Sequence, residues 1–240
     1  MHSLLAELRI KFSGVGSKTT SGLFQFILFL SVLGFAVKSN AQQANTPDQY
    51  RKTLTDRSAK IVNTLSIKDS AVYNRVVELL VNQYLQLNTI HDQSKIVTDS
   101  IKNLTLSADE KTPLIKKEEE KKSASLLQLH NQFLNLLKKN LSDDQIELVK
   151  DGMTYRVLPV TYGAYQDMIP ALTAEQKAKI YTWLKEAREL AMDEGSSDNK
   201  HKVFGRYKGR INNYLSAEGY DMKKEEKAWQ ERIKQRKQNG

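Results

Sequence analysis

From Gln42 to Asp151 the chain contains no glycine. Glycine costs about 1 kcal/mol inside a helix and is wanted wherever the backbone must turn left-handed. A run this long without it has the grammar of long helices joined by short connections. The apolar spacing agrees. Tyr50, Leu54, Ile61 and Leu65 recur at the helical period. So do Val76, Leu80, Tyr84 and Leu87, a stripe continued by Ile90, Val97, Ile101 and Leu104. A third stripe, Leu126, Leu129, Phe133 and Leu137, follows the charged run 116–122, which places the helix start after that run. Thr46-Pro47 reads as an N-cap with proline at the first helical position, and Asp69 opens the second helix. Three amphipathic helices with short connections predict an antiparallel bundle.

The remainder is built differently. Every glycine beyond residue 42 lies from Gly152 onward, with seven of the ten tyrosines and both tryptophans. Leu141-Ser-Asp-Asp-Gln145 and Leu172-Thr-Ala-Glu-Gln176 are capping boxes, Ser142 with Gln145 and Thr173 with Gln176. The first box starts a helix expected to end on Gly152 as a left-handed cap. Segment 153–170 holds Val157, Val160 and Thr161 between Pro159 and Pro170, and reads as an extended, aromatic-rich connection. Helices are expected over 174–194 and 199–217, and from Asp221, where Trp229 is the docking residue and 232–240 a frayed basic tail. The fold class is therefore all-α: an antiparallel helical bundle, a second half of shorter helices and one extended connection. Residues 42–240 read as a single helical domain made of a long-helix unit, 42–151, and a Gly/Tyr-rich unit, 152–240.

Ahead of it lies an address. Arg9, Lys11 and Lys18 precede an apolar run, 23–37, broken only by Gln25 and Ser31, and Ala41 offers a small residue at a cut site. That is the pattern of a cleaved signal peptide over 1–41, and the run is shorter than the ~20 residues a membrane span needs. The mature chain is expected in the periplasm or outside the cell, with no transmembrane segment. Removing 1–41 takes away four basic residues and one acid and leaves a net charge of +6.

With no cysteine in the chain, thiolate metal sites and disulfide scaffolds are excluded. His91 and His130 stand beside apolar stripes without a second histidine one turn away, so they read as core-edge residues. No metal or cofactor is expected. Glu186, Glu189 and Asp193 share a helix face and read as a solvated surface beside Lys185 and Arg188, with paired acid–base catalysis as the sharper alternative. The stretch His201-Lys-Val-Phe-Gly-Arg-Tyr-Lys-Gly-Arg-Ile-Asn-Asn-Tyr-Leu215 says most. Phe204, Tyr207, Ile211 and Tyr214 form its core stripe, and Gly205 and Gly209 read as points of close approach for a backbone or ligand. Arg206, Arg210 and Asn213 share one face; His201, Lys208 and Asn212 share another. Such a surface suits a polyhydroxylated or anionic ligand, since Arg forks bind carboxylates. From Lys200 to the C-terminus the local charge is +7. Export argues against nucleic acid as the partner.

The words Asp151-Gly-Met-Thr-Tyr155, Val160-Thr-Tyr162, Met168-Ile-Pro170, Trp183-Leu-Lys-Glu-Ala-Arg188, Ala191-Met-Asp193 and Tyr207-Lys-Gly-Arg-Ile-Asn-Asn-Tyr214 resemble a secreted bacterial family of unknown function to which sugar binding is ascribed. The two capping boxes are also similar to the Leu-Thr-x-x-Gln motif of small periplasmic chaperones. The family resemblance implies a carbohydrate role linked to polysaccharide utilisation and no particular reaction. The expectation is non-catalytic binding of carbohydrate, neutral or acidic. Tyr155, Tyr162 and Tyr165 would stack on sugar, and Arg188, His201, Arg206, Lys208, Arg210 and Asn212 would bind its polar groups. A helical chaperone or adaptor with a protein partner is the alternative, and a glycan-active enzyme using Glu186 or Asp193 the further one.

Overall fold

A computed structural model describes residues 46–238. The expected signal peptide lies outside the described residues. The chain divides into two units, Met1–Tyr50 and Arg51–Gly240. Of the first, the described residues are 46–50, where Thr46 and Gln49 cap each other's backbone amides at the start of a helix.

The described residues form eight α-helices in order: α1 (Pro47–Val62), α2 (Ser70–Lys102), α3 (Ala108–Lys138), α4 (Asp143–Met153), α5 (Val157–Met168), α6 (Ala174–Met192), α7 (Ser197–Ala217) and α8 (Met222–Gln238). A 3-10 turn, Asn63–Leu65, closes α1. The described residues contain no strand, and the architecture is all-α. None of the described helices is long and apolar enough to cross a membrane.

Local chemistry fixes most of the starts. The Asp69 side chain accepts from the amides of Ala71 and Val72. Ser142 with Gln145 and Thr173 with Gln176 form the expected reciprocal boxes. A third box, Ser107 with Glu110, starts α3 at Ala108, upstream of the charged run rather than after it. The box satisfies two amides at once, and it holds the helix start although Pro113, inside the helix, forgoes one backbone bond.

α2 and α3 run antiparallel against each other, with Leu87, Leu126 and Leu129 buried between them. The α2 stripe is buried only as far as Leu87; Ile96, Val97 and Leu104 remain exposed, as do Leu106 and Leu114 across the turn. Another core lies among α5–α8. Leu158, Ile180, Leu184, Phe204, Ile211 and Leu215 are buried in it, and Trp229 of α8 packs against it.

Three expectations are corrected. Segment 153–170 is not extended: α5 occupies most of it, because Pro159 falls on the third helical position, whose N–H has no intrahelical acceptor to lose. The chain does not turn left-handed at Gly152, which is helical. The left-handed residues are Tyr155 and Arg156, both at φ 57. Finally, 232–238 is not a frayed tail. Arg232 donates to the carbonyls of Asp167 (2.8 Å) and Met168 (3.0 Å), which the end of α5 leaves open. Arg236 and the Trp229 indole both reach the Asp167 carboxylate at 2.7 Å.

The glycines also change roles. A Cβ at Gly205 or Gly209 would meet nothing within 4 Å, so neither serves a close approach between helices. At Gly152 it would lie 2.8 Å from Cγ2 of Ile61, a β-branched side chain with little room to move. Gly152 thus lets the end of α4 close on α1. Gly152→Ala is expected to lose about 1–2 kcal/mol, since overpacking outweighs the gain in helix propensity. Gly205→Ala and Gly209→Ala should each gain about 0.5–1 kcal/mol. Urea midpoints of the three variants check both signs, and a stabilised Gly152→Ala would refute the contact with Ile61.

Candidate functional site

The end of α4 is built under strain. Arg156 N–H reaches back to Asp151 C=O at 2.7 Å and Tyr155 N–H to Gly152 C=O at 3.3 Å. Closing this turn puts two consecutive non-glycine residues in the left-handed region, at a cost of about 1–2 kcal/mol each. The gain is position. Tyr155 is thrown outward, 45% exposed, and stacks on His201 of α7 with ring centres 5.7 Å apart and planes 11° from parallel.

Beneath this pair lies a cleft of about 170 Å³, lined by Arg57 and Lys60 of α1, Tyr84 of α2, Met153 and Tyr155 at the end of α4, and Lys200 of α7. Three of its walls are cations and none is an acid. Arg57 lies over the Tyr84 ring, 5.6 Å from its centre. Tyr84 is 7% exposed. Burial is the main cause of the rise in its phenol's pKa above the ordinary 10, so the hydroxyl stays a donor at neutral pH.

Lys200 is 5% exposed. Its ammonium donates to the carbonyls of Ala191 (2.9 Å) and Met192 (3.2 Å), closing the last turn of α6. Burial pushes its pKa down to about 8, against the pull of Asp193 and Glu194 and with a small push from Arg57.

Behind the cleft runs a buried ionic network. Arg188 is 1% exposed; its guanidinium donates to Asp151 at 2.6 Å, to Glu147, and to Glu189 at 3.4 Å. Lys150 holds Glu189 at 3.0 Å. His130 lies 3.1 Å from Asp193 and 3.7 Å from Glu189. The His91 ring sits 2.7 Å from the Asp193 carbonyl. Glu189 and Asp193 are therefore not the solvated face expected of them: both are buried, and each meets a cationic or imidazole partner supplied by Lys150 of α4 or His130 of α3. His130 likewise does more than pack at a core edge. Among the described residues no group of three His, Asp or Glu side chains is arranged to hold a metal ion.

The expected site residues fall into separate settings. Tyr155 and His201 come together at the cleft. Tyr165 is buried and gives its hydroxyl proton to Asn212 at 2.7 Å, beside the Lys208 backbone. Burial lowers the pKa of Lys208. Tyr162 is half-buried, edge-on to Tyr181 at 5.2 Å. Arg188 belongs to the ionic network. Arg206 is exposed. Arg210 lies 4.4 Å over the Trp183 ring and 3.6 Å from Glu186. Arg57, Lys60, Tyr84 and Lys200 were not among the expected residues. The available signal was faint: two cations three residues apart on the first helix, and one tyrosine in an aliphatic stripe.

Comparison with curated proteins finds no match. A family model described as protein of unknown function (DUF3826) matches residues 51–235, which takes in the cleft, the ionic network and every expected site residue. The chain belongs to that family.

Proposed function

We propose that this is an exported, non-catalytic carbohydrate-binding protein of polysaccharide utilisation, working in the periplasm or outside the cell, with its ligand in the cleft under Tyr155. One observation carries the reading. An exposed ring, braced by His201 and held out by a strained turn, overhangs a recess walled by Tyr84 and nitrogen donors. Apolar C–H faces of a sugar ring suit an aromatic wall, and its hydroxyls suit the donors.

The cleft is smaller than the ~300–1,000 Å³ of a drug-sized site, so it holds one sugar residue and not an extended chain. Isothermal titration of the purified protein against neutral and acidic mono- and oligosaccharides should find a binding class. Tyr155→Ala should weaken that class about tenfold, the equivalent of losing ~1.4 kcal/mol of ring contact. A sugar bound equally well by Tyr155→Ala would move the site elsewhere. Silence across the panel would remove the carbohydrate reading.

A further inference from the structure

Three cations share a space of about 170 Å³ with no acid among the residues that line it. Among the described residues neither Arg57 nor Lys60 has an acidic partner, and the only ring contact of Arg57 is with Tyr84. Like charges crowded into one recess repel, and the recess gains most from a ligand that brings a negative charge with it.

The donors available narrow the choice of anion. Lys200 spends two of its three ammonium protons on Ala191 and Met192, leaving one. The Tyr84 side chain is more than nine-tenths buried at the cleft wall, and its hydroxyl has no protein hydrogen-bond partner among the described residues. Arg57 adds a planar fork whose geometry matches two oxygens in one plane. One ammonium proton, one phenol proton and one guanidinium fork fit the two oxygens of a carboxylate.

Resting on the carbohydrate reading, we propose that the cleft selects an acidic sugar: a single uronate residue whose carboxylate sits among Arg57, Tyr84 and Lys200 while its ring lies under Tyr155. Lys60 contributes field at the rim. No bond is made or broken.

The test is isothermal titration of the purified protein with galacturonic and glucuronic acids, their methyl esters, galactose, glucose, acetate and sulfate. A uronate should bind at least tenfold more tightly than its own methyl ester, and the preference should shrink as salt rises. Arg57→Gln, at an exposed position, should lower the affinity for the uronate far more than that for its methyl ester and so remove most of the preference. Equal affinity for acid and ester would overturn the uronate assignment and leave carbohydrate binding standing. Acetate or sulfate binding as tightly as the uronates would overturn it in favour of a bare anion site. No binding by any sugar would sink both readings together.

Discussion

Arg188→Met should be among the most destabilising single substitutions in the chain. The methionine fills much of the same space, but it takes the guanidinium from Glu147, Asp151 and Glu189 and leaves Lys150 paired with the first and last of them. Breaking a buried ion pair from one side costs about 3–5 kcal/mol, because the surviving charges stay desolvated. Glu147 is partly open to water, which argues for the lower end of that range. The measurement is the urea midpoint, and a midpoint unchanged from wild type would refute the role given to the network.

The pH dependence supplies a second readout. Burial works to raise the pKa of Glu147, but Arg188, then Lys150 and Lys185, overcome it and hold the carboxyl below its ordinary 4.5. A depressed carboxylate contributes stability that is present above its ordinary pKa and lost as pH falls through the folded one. The gap between wild type and Arg188→Met should therefore be widest near neutrality and narrow below about pH 4. Adding Glu147→Gln and Asp151→Asn to Arg188→Met should recover much of the loss, since the stranded charges are then gone.

Lys200 should show the opposite sign at the opposite end of the scale. Its pKa is about 8 in the folded protein against an ordinary 10.5. Between those values the unfolded chain binds the extra proton, so folding stability rises with pH across that window. Below it the penalty for burying the ammonium is present in full. The size is about 3 kcal/mol. Comparing wild type with Lys200→Met cancels every other titrating group. Denaturation at pH 7 and at pH 10.5 should shift the difference by about that amount in favour of wild type. Parallel pH curves for the two proteins would show that burial does not depress this ammonium.

What the amino-acid order disclosed depended on the range of the interaction. The starts of α2, α4 and α6 were legible because a cap needs only residues two or three apart, such as Asp69 with Ala71 or Thr173 with Gln176. α5 was missed because Pro159 was weighed as a breaker without knowing its place in the helix. Two residues further into the helix the same proline would break it. The ionic network was hidden for a different reason. Glu147, Arg188 and Glu189 each sit in an amphipathic pattern as surface charges do, and only the packing of α4 on α6 turns them inward. Tyr155, at the cleft, and His201, which stacks on it, stand out in the sequence only as members of an aromatic-rich segment and a basic helix. Arg57, Tyr84 and Lys200 come from three distant stretches, and no spacing rule joins them.

Lys200 performs two tasks with one nitrogen: it seals the last turn of α6 and it lines the cleft. The two cannot be improved separately. Any change that releases its protons for a tighter grip on ligand reopens Ala191 and Met192, and any change that secures the helix end removes a donor from the recess. Refinement of this site by substitution is therefore channelled to Arg57 and Lys60, exposed on α1, while position 200 is held in place by a compromise.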